Sequence, residues 1–325
     1  MITSDISQRT TVYADRRLLT RAAKNNILGQ FGQVRELPGK KGTVIVFRRY
    51  NKLAVATTPL TEGVTPSGKT LTKTDVSVQV KQYGDFVWIS DVIQDTHEDP
   101  VLQESVDVLG MQSEETYDVL RAGVLVAGTN VLFANGTVRS DVNTAISKTI
   151  LRRAERALLR QEAKTITRII KAGPDVATSP IPPSYIVVCH ADLKMDLEQL
   201  ADWTPVQKYP STMGLINGEI GSSGLFRFVL DNNLTPWTDA GGAKGSMIST
   251  TGTYADVYPL LVFGEDAYGL VPLAGQNAVQ TYVANPKAST SDPLAQRGTV
   301  GWKGYTATVI LNDLWMLRME IAATA

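Results

Sequence analysis

The feature that most constrains the fold is a polar segment at residues 51–73 that proline and glycine interrupt. Its centre reads TTPLTEGVTPSGKT. Proline cannot donate to a strand ladder and glycine permits positive φ, so this segment cannot be a central strand. A polar excursion of this length is unusual inside a compact domain. We therefore expect an extended arm whose backbone groups pair with, or lie on, a partner.

Regular strands are predicted on both sides of the arm. The run TVIVFRRY at residues 43–50 is enriched in β-branched residues. After the arm, Val76, Val78 and Val80 alternate with polar residues, as in a strand with one solvated face. The run YGDFVWIS at residues 83–90 is more apolar, and we expect it to be buried in a sheet.

One long helix is predicted after these strands. Asp99 is a good N-cap, Pro100 suits the first helical position, and apolar residues then recur at helical spacing. A helix over residues 100–127 would span roughly 40 Å, with Gly110 as a candidate bend. A helix of this length is expected to act as a spine rather than as one packing layer.

A second helix is predicted over residues 145–170. Basic residues stand every four positions along it and form one stripe: Arg152, Arg156, Arg160, Lys164 and Arg168. Glu155 and Glu162 interleave with them, which favours a solvated face. The alternative is an electropositive surface that faces nucleic acid or an acidic neighbour.

The remaining segments indicate an α/β layer in the second half of the chain and an arm at its N-terminus. The proline-rich run at residues 179–184 marks a boundary, and a buried-strand run at 185–190 precedes a helix-like segment. Two strands are expected within residues 298–321. A short basic amphipathic helix after Asp15 either docks on its own subunit or reaches a neighbour or nucleic acid.

Composition excludes several protein classes. The formal net charge is +0 and the pI about 6.8, which argues against a dedicated nucleic-acid binder but allows one basic face. The single cysteine, Cys189, cannot form an internal disulfide and fits a reducing compartment. No apolar run is long enough for a transmembrane helix, and no secretory signal pattern is present.

No motif for catalysis, metal or cofactor binding is recognisable. His97 lies in the run DTHEDP, whose spacing matches no zinc or calcium loop and whose acidic residues suit a helix N-terminus. Cys189 and His190 are adjacent in sequence, and we expect a structural pair rather than a catalytic dyad. Glu114 and Glu115 are expected on an exposed helix face. We therefore predict no catalytic residues and no cofactor.

A long run of residues nevertheless resembles one family. The segments TTPLTEGVTP, QYGDFV, DTHEDPVLQE and LRAGVLVAGTNV resemble the major capsid proteins of tailed phages in the phage-N-four-like group, over roughly residues 47–135. Those proteins have the α+β Hong Kong 97-type coat fold. The resemblance implies an N-terminal arm (1–35), an extended β-hairpin E-loop (52–78), a peripheral domain (36–51 and 79–144) with a spine helix at about 100–128, an α/β axial domain (145–280) and a return to the peripheral domain (281–325).

The resemblance also implies a function. The chain would form the icosahedral head shell of the virion around a double-stranded DNA genome. The subunits would be arranged in pentamers and hexamers, would assemble in the host cytoplasm and would not bind a membrane. Implied partners are a portal, a separate scaffolding protein (because the arm from Met1 is short), non-specifically bound DNA and a decoration protein. The E-loop residues expected at subunit contacts are Thr58, Pro59, Leu60, Glu62, Pro66, Lys69 and Lys73.

Two alternatives stay open at the level of the sequence. One is the shell of an encapsulin-like nanocompartment of the same fold, which would have a neutral or acidic interior. The other is an uncharacterised enzyme or binding protein that carries a long β-arm.

Overall fold

Two β-sheets, one long helix and one projecting ribbon organise the chain. The computed structural model describes residues 26–90, 101–171, 177–209, 215–273, 279–284, 293–294 and 296–325. The strands are β1 (Gln33–Val34), β2 (Val44–Tyr50), β3 (Lys73–Gln79), β4 (Lys81–Ser90), β5 (Val131–Phe133), β6 (Ile166–Lys171), β7 (Ala177–Cys189), β8 (Thr204–Pro205), β9 (Glu219–Ser223), β10 (Phe226–Leu230), β11 (Val257–Phe263), β12 (Tyr268–Pro272), β13 (Val279–Ala284), β14 (Arg297–Ile310) and β15 (Met316–Ala322). The α-helices are α1 (Val101–Val126), α2 (Lys148–Arg160) and α3 (Lys194–Glu198).

The larger sheet is covered on both faces. Its strand order is β5-β15-β11-β7-β10-β9-β8, with β6 paired to β7. Tyr185 and Val187 of β7 pack with Leu158 of α2, whereas Ile186 packs in a cluster that includes Leu125 of α1. Burial on both sides explains why this strand is a continuous apolar run, and it confirms the buried strand predicted there.

The smaller sheet contains β1, β12, β14, β13 and β4, and α1 covers one of its faces. The rings of Tyr117 in α1 and Trp302 in β14 meet edge to face with centroids 5.6 Å apart. Trp302 Nε1 also donates to Gln112 Oε1 at 3.1 Å. β14 lies in this sheet and β15 in the larger one, so residues 281–325 divide between the two sheets.

The expectation that residues 83–90 are buried is wrong. They form most of β4, which pairs with β14 from Lys81 to Ser90. Ile89 is buried, but Phe86 and Trp88 are 55% and 63% exposed. The reason is geometric: in the described part of the chain β4 pairs only with β14, and α1 covers one face, so alternate side chains point away from the core.

The long helix is confirmed and the second helix is shorter than predicted. α1 runs without interruption through Gly110; the expected cap at Asp99 and Pro100 lies outside the described residues, as do His97 and residues 1–25. α2 ends at Arg160 instead of continuing to residue 170. Glu162 has a left-handed φ of 55°, and Ala163 N donates to Leu158 O at 3.0 Å, which closes the helix with a Schellman-type end.

The ribbon consists of β2 and β3, which pair antiparallel from Val44 opposite Gln79 to Tyr50 opposite Lys73. The strands predicted on both sides of the polar segment are thus confirmed. At its root Phe47 is buried in a cluster with residues of β12 and β14. The ribbon is therefore fixed at one end to the smaller sheet.

Candidate inter-subunit surfaces

The polar segment forms an arm, residues 51–72, that extends from the ribbon without strands of its own. Its ends are held together by Asn51 N, which donates to Thr72 O at 2.9 Å. Within it Lys69 Nζ donates to Ala54 O at 3.1 Å. The arm carries Thr58, Pro59, Leu60, Glu62, Pro66 and Lys69 of the predicted contact residues, all of them exposed, and Lys73 begins β3.

Several apolar side chains of the arm are largely exposed in the single subunit. Val55 and Leu60 are 78% and 79% exposed, and Val64 and Leu71 are 62% and 65% exposed. Fully burying one such side chain contributes roughly 1.5–3 kcal/mol. The arm therefore presents apolar surface that a partner can cover with a gain in free energy.

Ion pairs orient the root of the arm. Arg48 and Asp75 pair across the ribbon, with Nε–Oδ1 2.9 Å, and the Arg48 guanidinium lowers the pKa of Asp75. Lys52 Nζ lies 2.6 Å from Glu162 Oε1, in the segment that ends α2. Both partners of this second pair are largely exposed, so it contributes at most about 1 kcal/mol to stability. Its main effect is on the direction in which the arm leaves the ribbon.

The basic stripe is shorter than the sequence predicted. Arg152, Arg156 and Arg160 are exposed on one face of α2, opposite the buried Ala154 and Leu158. The predicted continuation is wrong because the helix ends at Arg160. Lys164 lies in the connection to β6 and Arg168 lies within β6.

A buried carboxylate attaches the first described residues to α1. Asp118 accepts hydrogen bonds from the backbone N–H groups of Ile27 and Leu28 at 3.2 and 3.1 Å. Arg121, one helical turn on, lies 3.7 Å from Asp118 and donates to the side chain of Asn26. The chain entering from the N-terminal side is thus held on the helix by charge-assisted hydrogen bonds.

Two further carboxyls share this site. Burial and the charge of Asp118 together raise the pKa of Glu114 to about 7, although the nearby Arg121 acts in the opposite direction. Burial and the same charge also raise the pKa of Asp231 to about 7. The expectation that Glu114 is solvated is therefore wrong, whereas Glu115 is exposed. Helical spacing places Glu114, Asp118 and Arg121 on one face. It could not reveal that Asn26 and Asp231 join them, because those residues are far away along the chain.

The surroundings of Cys189 and His190 indicate structural roles for both residues. Cys189 is fully buried, which raises its pKa to about 12, so the thiol is not a thiolate at neutral pH. His190 Nδ1 accepts the N–H of Asp192 at 3.2 Å and caps a 3-10 helix. Over the ranges that the structure describes, no three His, Cys, Asp or Glu residues are arranged to hold a metal. No helix in those ranges is long and apolar enough to cross a membrane.

A second exposed apolar surface was not predicted. Phe86 and Trp88 of β4 lie on the face of the smaller sheet away from α1, with their rings edge to face at 5.4 Å. Gly301 of β14 stands between Phe86 and Tyr282 of β13 in the strand register, and Tyr282 is 46% exposed. Exposed aromatic patches of this kind mark interaction surfaces. The alternation of β4 contained the signal, but which face is covered depends on α1.

The amino-acid sequence is similar to those of phage capsid proteins. A family model described as phage capsid protein matches residues 73–318. The major capsid protein of Pseudomonas phage KPP21 is 22% identical over 370 residues, covering 97% of this chain and 93% of that protein.

Solved structures show the same fold. The capsid of Ralstonia phage GP4 aligns with a TM-score of 0.65 and 14% identity, covering 90% of this chain and 87% of that chain. The head structure of Helicobacter pylori bacteriophage KHP40 aligns with a TM-score of 0.60 and 15% identity, covering 93% and 91% of the two chains. These neighbours support a phage coat fold of mixed α/β content. The family match and the major capsid relative do not favour the nanocompartment alternative. The chain therefore belongs to the phage capsid protein family, as a tailed-phage major capsid protein that forms the head shell.

Proposed function

We propose that the chain uses the Hong Kong 97-type arrangement of the coat fold. In this proposal residues 52–78 are the E-loop and α1 is the spine helix of a peripheral domain that includes the smaller sheet. The larger sheet with α2 supplies most of the axial domain, residues 145–280. The projecting ribbon, the long helix along one sheet and the fold shared with phage capsids support this assignment.

The arm is the proposed connector between subunits in pentamers and hexamers. The observation that carries this proposal is that Val55 and Leu60 are more than three-quarters exposed in the single subunit. Each contact can be weak, because closure of a symmetric shell multiplies it. A portal, a separate scaffolding protein and a decoration protein are proposed further partners, with assembly in the host cytoplasm.

Deleting residues 58–69 tests the connector. The ribbon ladder and the Lys52–Glu162 pair lie outside the deletion, so we expect a soluble subunit with unchanged circular dichroism that does not form shells in electron micrographs. A milder variant, Leu60→Ser with Val64→Ser, should reduce shell yield. Val138→Ser is the matched control, since Val138 is 50% exposed outside the arm. Shells of normal yield from the deletion variant would refute the role of the arm.

The short basic stripe is proposed to face packaged DNA. Phosphate contacts by arginine need no base sequence, so the interaction would be non-specific. Changing Arg152, Arg156 and Arg160 to Gln should lower the yield of DNA-filled particles while empty shells still assemble. A matched control removes the same charge at Lys40, Lys41 and Lys81, which are exposed elsewhere. An equal fall in the yield of DNA-filled particles for both variants, or a failure of the arginine variant to form empty shells, would argue against this role.

A further inference from the structure

A cavity of about 250 Å³ lies at the root of the ribbon, where three parts of the chain meet. Arg35 reaches it from the end of β1, Arg49 from β2 and Lys164 from the segment after α2. Phe47 and Trp315 contribute apolar lining. The volume is far above the roughly 10–15 Å³ that one water molecule requires. We call this site the ribbon cavity.

Positive charge exceeds negative charge among the described residues that line the ribbon cavity. Among the residues that the structure describes, Arg35, Arg49 and Lys164 take part in no ion pair. Arg35 instead has its guanidinium 5.5 Å from the centre of the Phe47 ring. Like charges that share a concave site repel one another and concentrate a positive potential there.

The other charged groups near the cavity do not remove this excess. Arg48 also lines it, but its charge is satisfied by Asp75 at 2.9 Å. Asp266 is the acidic lining residue and, like Arg49, forms no ion pair with a described residue. The cations that remain therefore outnumber the one carboxylate.

The cavity wall is held by backbone hydrogen bonds. Arg35 N donates to Leu270 O at 2.9 Å, and Glu265 N donates to Lys164 O at 2.8 Å. The first bond ties the end of β1 to β12, and the second ties the segment after α2 to the turn before β12. These bonds fix the backbone at Arg35 and Lys164, which lowers the entropy lost on binding a ligand.

From this geometry we propose that the ribbon cavity binds a phosphate group. Two guanidinium groups and one ammonium group line the same cavity from different parts of the chain, and such a set suits the several oxygens of a tetrahedral anion. A planar carboxylate would be satisfied by one arginine alone. The site itself does not depend on shell formation; only a DNA backbone as the source of the phosphate rests on the proposed function.

The free full-length subunit is the material for the test, and Trp315 in the lining supplies a fluorescence signal. Binding is measured for inorganic phosphate against sodium chloride of equal ionic strength, for a short DNA duplex of arbitrary sequence, and for a glutamate-rich peptide. The cavity variant is Arg49→Gln with Lys164→Gln. Both side chains are exposed, so circular dichroism should remain unchanged. The matched control, Lys41→Gln with Lys81→Gln, removes equal charge from exposed positions that do not line the cavity.

We expect the cavity variant to bind inorganic phosphate at least tenfold more weakly, and the control variant at Lys41 and Lys81 to bind it like the unaltered chain. The salt dependence of duplex binding is the slope of the logarithm of the binding constant against the logarithm of the salt concentration. If the phosphate comes from DNA, the cavity variant also lowers the magnitude of this slope by about 1–2, because each phosphate contact contributes about 0.9. An unchanged slope with weakened phosphate binding assigns the site to free phosphate. Three results would overturn the proposal: no phosphate effect beyond ionic strength, equal phosphate binding by the cavity variant, or tighter binding of the peptide than of phosphate.

Discussion

The buried carboxyl of Glu114 makes a quantitative prediction about pH. Its pKa rises from 4.5 to about 7 on folding because burial disfavours the charged form. A carboxyl with a raised pKa stabilises the fold below its unfolded pKa, and that contribution is lost as the pH rises through 7. One pKa unit is worth about 1.4 kcal/mol, so the ionised group costs the folded subunit about 3 kcal/mol at high pH.

Glu114→Gln removes this titration while keeping the shape of the side chain. Urea unfolding of the unassembled subunit between pH 5 and pH 8 should show the unaltered chain losing stability as the pH rises. The variant should lose less over that interval, by on the order of 2–3 kcal/mol. Asp231 keeps its own titration, so some pH dependence remains in the variant.

Glu115→Gln is the matched control, because Glu115 is the next residue of α1 and is exposed. It should change neither the stability nor its pH dependence by more than about 0.5 kcal/mol. The reasoning is refuted if the Glu114 variant and the unaltered chain have the same dependence of unfolding free energy on pH.

Three other substitutions test separate parts of the structure. Glu320→Ala should lower the unfolding free energy by roughly 3–5 kcal/mol in urea titrations, because Glu320 is fully buried between Arg139 and Arg318; a loss below about 1 kcal/mol would contradict this. Glu162→Gly, made in a Lys52→Gln background that already lacks the ion pair, should raise the unfolding free energy by about 1 kcal/mol, since φ is 55° there. A lower unfolding free energy than that of Lys52→Gln alone would count against strain. Trp88→Ser should leave the unfolding free energy unchanged within about 0.5 kcal/mol while reducing shell yield in micrographs. A lower unfolding free energy with an unchanged shell yield would refute an interface role.

Local patterns were sufficient to predict the ribbon and the long helix. The alternation around Val76 and Val78 is a property of neighbouring residues, and it fixed β3 without knowledge of the rest of the fold. The arm was predictable for the same reason, since proline and glycine exclude a regular ladder whatever surrounds them. The buried run from Tyr185 to Cys189 likewise identified a strand covered on both faces.

Features that depend on tertiary contacts were not predictable. The end of α2 is set by the left-handed backbone at Glu162, a conformation that glycine usually adopts, so the basic periodicity misled the prediction. The exposure of Trp88 depends on which face of the sheet α1 covers. Asp231 comes from a segment more than a hundred residues after Asp118, and only the fold brings these two carboxyls together in the cluster that buries Glu114.

Hydrogen–deuterium exchange tests most directly the claim that the arm joins subunits. In the single subunit the arm is exposed and has few internal hydrogen bonds, so its amides should exchange rapidly. In assembled shells we predict strong protection of residues 51–72, while amides of the buried strand β11 remain protected in both states. Equally fast exchange of the arm in subunits and in intact shells would contradict the account.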